Sequence, residues 1–245
     1  MNGVHHHAAT APHASHVDAS PNLLLSGLPD EAFDAIAPDL TFRRFRSKEI
    51  LHRAGEPIKE VYFPGRGLYA ITTMNDEGSM IEVAGVGREG FLGIGAVLGS
   101  ENAIGDTVVE LEAEGAHVMS IAAFQREFQK PGPFRDTISR YTRAFVASMM
   151  QSVACNGLHS AEARCCRWLL DACDRLESSE LAVTHEEMGM LLGLRRPTVT
   201  LVMSELARGG ILTYARGRIR ILDRQRLESL ACECYERVKG LNTVS

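Results

Sequence analysis

No apolar run in this 245-residue chain approaches the roughly 20 residues that a membrane-spanning helix needs. Helical channels and transporters are thereby excluded, and no membrane partner is expected. The opening residues, MNGVHHHAATAPHASH, lack the apolar core of a secretory signal, so a soluble cytoplasmic protein is expected. Cysteine is absent before Cys155. The six present (Cys155, Cys165, Cys166, Cys173, Cys232 and Cys234) include no CxxC pair. That spacing indicates neither a zinc site nor a disulfide framework. No Ser–His–Asp arrangement or paired-carboxylate motif stands out. An enzyme is therefore not expected, nor a cofactor or bound metal.

Positive charge is also in short supply, with 26 Lys and Arg against 31 Asp and Glu for a net charge of −5. It is unevenly spread. Residues 195–226 hold eight arginines against only Glu205 and Asp223. A basic block in an acidic chain is what a polyanion-binding face leaves in a sequence. A solvated basic surface explains the charge alone equally well. Position separates the two. In GLRRPTVTLVMSEL, residues 193–206, Arg195 and Arg196 precede a proline and an apolar-periodic run. Helix N-termini favour negative charge. Two cations there call for a partner more negative than the helix end is positive.

Residues 1–20, rich in Ala, His and Ser and holding five of the nine histidines, read as a disordered tail. A weak metal-binding role for it stays open. Short helical character at Leu23–Ile36 is followed by strand-like runs cut by Gly and Pro: LTFRRFR, EILHRAGEPI, EVYFPGRGLYAITTM, SMIEVAGVG and DTVVELEAEGAHVMSI. They predict an antiparallel, jelly-roll-like β-roll over 21–132. GVGREG at 85–90 spells GxGxxG, but the glycines at 93, 95 and 99 argue against the helix that a dinucleotide site needs next.

Glycine and proline then vanish between Pro133 and Gly157. Ile138, Tyr141, Phe145, Met149 and Val153 recur at steps of three or four, which predicts one amphipathic helix over 133–158. Its stripe is narrow, as in a helix–helix seam. These five residues are the expected dimerisation face of a homodimer. Packing onto the chain's own roll is the alternative.

Over 159–245 the pattern changes again. A helix is predicted at about Ala161–Leu176, with Cys165, Cys166 and Cys173 as buried structural thiols. Thr184 and Glu187 form a capping box for the next helix, with Met188, Leu191 and Leu192 inward and a tight turn at Gly193. Pro197 suits the first position of a helix running to about Arg208. Val199, Val202, Met203 and Leu206 form its core face. The outer face carries Thr198, Leu201, Ser204 and Glu205, with Thr200 at one flank. Short helix, turn and second helix make a helix-turn-helix, whose second helix enters the DNA major groove. Arginine at its start can grip guanine or phosphate. Two β-prone runs, Ile211–Tyr214 and Arg218–Leu222, flank a turn and predict a wing with Arg216 and Arg218 at its tip. Asp223 caps a last helix with Leu227, Leu230, Ala231 and Cys234 inward. Expected DNA contacts are Thr184, Arg195, Arg196, Thr198, Thr200, Leu201, Arg216 and Arg218.

The order of roll, long helix, HSAEARCCRWLL, AVTHEEMGMLLGLRRPTVT and YARGRIRILD resembles the Crp–Fnr family of bacterial transcription regulators. GEPIKEVYFPGRG is similar to the family's roll. The resemblance implies a cyclic-nucleotide-binding-like domain, a dimerising helix and a winged helix-turn-helix. Members that bind cyclic AMP use a Gly–Glu pair and an Arg–Ser or Arg–Thr pair. Here Gly93 is followed by Ile94, and Asp106 stands beside Thr107 where the arginine belongs. Iron–sulfur members carry an N-terminal cysteine cluster, which this sequence lacks.

The expectation is an α+β chain: an N-terminal antiparallel β-roll, a long dimerisation helix and a winged helix-turn-helix domain over 159–245. It would bind double-stranded DNA as a homodimer, at an inverted repeat, with a degenerate or non-cyclic-AMP effector domain. RNA polymerase stays open as a further partner, and the small-molecule effector is unassigned. The alternative is a small-ligand or redox-sensing signalling module that uses the winged domain for protein contacts.

Overall fold

A computed structural model describes residues 21–242; the tail at 1–20 lies outside the described residues. Helical character at the start divides into two short helices, α1 (Leu23–Ser26) and α2 (Asp30–Ile36). Asn22 caps α1 by accepting from the Leu24 and Leu25 amides. Seven strands follow: β1 (Thr41–Arg43), β2 (Ile50–His52), β3 (Glu60–Pro64), β4 (Leu68–Met74), β5 (Met80–Val86), β6 (Asp106–Leu111) and β7 (Ala116–Ser120). They pair antiparallel into two sheets, ordered β1-β7-β3 and β2-β6-β4-β5. This is the expected roll. Helix α3 (Ile121–Gln129), capped by Ser120, begins at the last residue of the final strand-like run and is not among the elements expected from the sequence.

Helix α4 (Pro133–Leu158) is one unbroken element of 26 residues. The face it presents is a correction. Ile138, Tyr141 and Phe145 are buried in the roll's own core, with Met149 partly buried against it. Tyr141 packs at a tilt against Phe91 and Phe145, within an aromatic cluster that includes Phe63, Phe124 and Phe134. These side chains are therefore spent inside one chain. The tight fit also explains one glycine of GVGREG: a Cβ on Gly90 would sit 2.2 Å from the Tyr141 hydroxyl oxygen. Of the five expected seam residues only Val153 is exposed, at 73%. It shares its face of α4 with Met150, 69% exposed, and Val146.

The C-terminal half contains α5 (Ala161–Leu176), β8 (Glu180–Leu181), α6 (His185–Leu192), α7 (Arg196–Arg208), β9 (Leu212–Ala215), β10 (Arg218–Ile221), α8 (Arg224–Leu230) and α9 (Cys234–Asn242). Its core gathers Trp168, Leu169, Met188, Leu191, Val199, Val202, Met203 and Leu206. Burial pushes the thiols of Cys165 and Cys166 up to about 12 and that of Cys173 up to about 11, so all three are packing groups rather than reactive ones. The expected last helix is two. Asp223 caps α8 as predicted, but the chain breaks at Ala231, Leu230 is exposed, and Cys234 opens α9. Helix α9 folds back on the end of α4. It brings Cys232 and Cys234 against Cys155 and His159, a grouping that cysteine spacing did not show.

This half rests on the roll. Trp168 Nε1 donates to the Glu82 carboxylate at 3.2 Å, Arg175 pairs with Glu89 at 2.9 Å, and Lys48 pairs with Glu187 at 3.2 Å. No described helix is long and apolar enough to cross a membrane.

Candidate nucleic-acid interface

The Thr184 hydroxyl accepts from the Glu187 amide at 3.2 Å, and the Glu187 carboxylate accepts from the Thr184 amide at 2.8 Å. The capping box that fixes the start of α6 is thus complete. Burial opposes the Glu187 charge. The bonds from Thr184 and the Lys48 ammonium outweigh it and hold the carboxyl below the usual glutamate range. Helix α6 ends at Gly193, where φ of 61° is open to glycine. A Cβ there would also press on Ile81 of β5 at 2.8 Å. The buried Arg164 donates to the Leu192 carbonyl, anchoring this turn to α5.

Helix α7 starts one residue earlier than predicted. Arg195 is the extended cap, with φ −73° and ψ 139°, Arg196 is the first helical residue and Pro197 the second. Proline costs no more there, because the second amide of a helix has no intrahelical acceptor either. Val199, Val202, Met203 and Leu206 are buried as expected, and Leu201 is 59% exposed on the opposite side. Thr198 is half-buried. The Thr200 hydroxyl lies 3.2 Å from His185 Nδ1, which ties it to the flank of α6.

The wing is a hairpin with a two-residue turn. Arg216 and Gly217 have φ of 50° and 73°, the left-handed pair that a tight hairpin requires. Arg218 pairs with Ala215 and Ile221 with Leu212. RIRI alternates outward and inward, so Arg218 and Arg220 face solvent over buried Ile219 and Ile221. Arg216 is thus at the tip and Arg218 begins the return strand.

Thr184, His185, Glu186, Arg196, Tyr214, Gly217 and Arg218 line one concave groove of about 350 Å³ between α6, the start of α7 and the wing. Arg196 is mostly exposed, 3.7 Å from the equally exposed Glu186. His185 and Tyr214, which sequence reasoning did not single out, also line the groove. Their rings lie 4.7 Å apart, and the Tyr214 hydroxyl is 3.2 Å from Ser204 Oγ. Burial and the nearby Arg196 hold the His185 imidazole below its usual range. Two of the eight arginines serve the fold instead. Arg224 bonds Asp174 at 2.7 Å and Glu228 at 2.8 Å, and Arg226 donates to the Gly209 carbonyl at 2.7 Å.

In the roll, His52, Gly93, Ile94 and Thr107 surround a cavity of only about 20 Å³. Ile94 is buried. The Asp106 carboxylate accepts from the Ala54 amide at 2.7 Å, and the His52 Nε2 is 2.9 Å from the Glu60 carbonyl oxygen.

Residues 163–230 match the Crp-like helix-turn-helix domain. The fold is similar to that of a transcriptional regulator of the Crp/Fnr family from Eubacterium rectale, at 19% identity and a TM-score of 0.67, covering 86% of this chain and 98% of that one. A CRP-family transcriptional regulator from Thermus thermophilus is similar at 22% identity and 0.66, covering 77% and 96%. The c-di-GMP-responsive global regulator CLP from Xanthomonas campestris is similar at 18% identity and 0.65, covering 79% and 99%. No curated protein matches the sequence.

Proposed function

From a chain whose residues 163–230 form a Crp-like helix-turn-helix domain on the fold of the Crp/Fnr regulators, we propose a homodimeric, sequence-specific transcription regulator that reads DNA with α7. The observation that carries this reading is the groove between α6, α7 and the wing. It offers exposed arginines from two elements and a helix N-terminus directed outward. Arg195 and Arg196 enter the major groove at the start of α7, with Leu201 and Thr198 beside them. Arg216 and Arg218 hold phosphates from the wing, and Thr184 holds the start of α6 against the backbone. The helix N-terminus favours phosphate oxygens as well.

The homodimer forms along the outer face of α4. Val146, Met150 and Val153 follow one another at steps of four and three, a spacing that suits a helix–helix seam. The roll does not take a cyclic nucleotide at the usual place. A ligand of that size needs a pocket of about 300 Å³ or more, and Ile94 and Asp106 offer neither sugar contact nor phosphate countercharge.

Salt titration of duplex binding is the direct test. Log affinity should fall linearly with log salt, with a slope of about −0.9 for each phosphate neutralised. Absent or salt-independent binding would instead support protein contacts by the winged domain.

A further inference from the structure

The end of α4 and the link between α8 and α9 converge on four side chains that the groove does not use. Cys155 and His159 belong to the last turn of α4 and the residue after it. Cys232 and Cys234 belong to the link and the first residue of α9. Their four ligand atoms all lie within 4.8 Å of one another. Cys155 Sγ is 3.5 Å from Cys232 Sγ, and Cys234 Sγ is 3.5 Å from His159 Nδ1. Tetrahedral zinc, bonded at about 2.3 Å to sulfur and about 2.0 Å to nitrogen, requires edges of roughly 3.7 Å between sulfurs and roughly 3.5 Å from nitrogen to sulfur. Two of the six edges, one between sulfurs and one from nitrogen to sulfur, already stand at 3.5 Å, and the remaining four, all within 4.8 Å, need to close by no more than about 1 Å.

The surroundings also suit an ion. All three cysteines are buried, and Ala163 closes the apolar side. His159 Nε2 is 3.3 Å from the Glu233 carboxylate, the kind of outer acceptor that orients a metal-bound imidazole. Gln151 Nε2 donates to Cys234 Sγ at 3.0 Å. The Arg167 guanidinium, bonded to Asp171 at 2.7 Å, also reaches Cys155, while its Nε has no partner. It supplies a cation against the surplus negative charge of three thiolates on a divalent ion. Exposed Glu233 marks the open side through which an ion would arrive.

We propose that Cys155, His159, Cys232 and Cys234 bind one zinc ion in a closed tetrahedral site that fastens α9 to the end of α4. Three soft thiolates and one imidazole select a thiophilic ion over magnesium or calcium. The grouping is too compact for an iron–sulfur cluster, whose irons stand between the ligands. On binding, the three thiols release their protons to solvent, the imidazole binds neutral through Nδ1, and nothing is oxidised or reduced. The site is built from both the long helix and the C-terminal domain, so the ion would fix their relative placement.

The test is cobalt substitution in the full chain, reduced and stripped with a chelator. One Co²⁺ per chain should give the visible bands of tetrahedral cobalt together with thiolate-to-metal charge transfer, and Zn²⁺ should bleach both. Cobalt held by the His-rich tail would lack the charge-transfer band. Cys232→Ser should lose or strongly weaken the signal, and Cys173→Ser, buried elsewhere, should keep it. The wild-type spectrum decides even if Cys232→Ser misfolds. No tetrahedral thiolate signal in the wild type would overturn the proposal, as would a signal unchanged in folded Cys232→Ser.

Discussion

Arg196 and Arg218 point into the same groove from different elements, and their losses should look different. Arg196→Ala removes a fork at the start of α7. It should cost roughly 1–3 kcal/mol per half-site and relax preference at one base position. Arg218→Ala should weaken all duplexes alike and flatten the salt slope by about one unit. Fluorescence anisotropy on matched and mismatched duplexes separates the two patterns; equal loss on every duplex for Arg196→Ala would remove it from base reading. Glu187 gives a prediction in pH. Its carboxyl is held below the usual range in the folded chain, so the stability it contributes is present above the unfolded value and lost as pH falls through the folded one. Glu187→Gln should therefore be less stable than the wild type near neutrality and converge with it in acid. Urea denaturation from about pH 2 to about pH 7 checks this, and a difference that stays constant down to the acid end would contradict it. Thr184→Ala should cost about 1 kcal/mol by the same measurement.

At the scale of elements, the C-terminal half was the more legible. Caps and turns are local chemistry, and Thr184, Gly193, Asp223 and the RIRI alternation each announce themselves within a few residues. Helix α4 was legible as a helix but not in its orientation. Periodicity marks an apolar stripe without saying what it packs on. Phe134, Ile138, Tyr141 and Phe145 turned out to close the roll, and the narrower Val146–Met150–Val153 face was hidden behind their stronger signal. The cysteine grouping was illegible for a related reason: 77 residues separate Cys155 from Cys232, and only the fold-back of α9 joins them. The two faces of α4 predict opposite outcomes. Met150→Glu should leave the fold intact and give monomers in analytical ultracentrifugation. Phe145→Glu buries a charge in the roll and should unfold it, seen by circular dichroism. A Met150→Glu protein that stays dimeric would place the seam elsewhere.

For the whole molecule, ion pairs and the Trp168–Glu82 bond seat the C-terminal half on β5 and its neighbours, while the cavity beside Ile94 in the roll holds only about 20 Å³. Calorimetric titration with cyclic AMP or cyclic GMP at micromolar levels should show no saturable heat. Clear binding would mean that the cavity beside Ile94 opens. The central claim is that two copies of α7 read DNA together, and selection from a random duplex library tests it most directly. The account predicts an enriched inverted repeat with half-site centres about one helical turn, roughly 34–36 Å, apart. No enrichment, or an enriched site without two-fold symmetry, would contradict it.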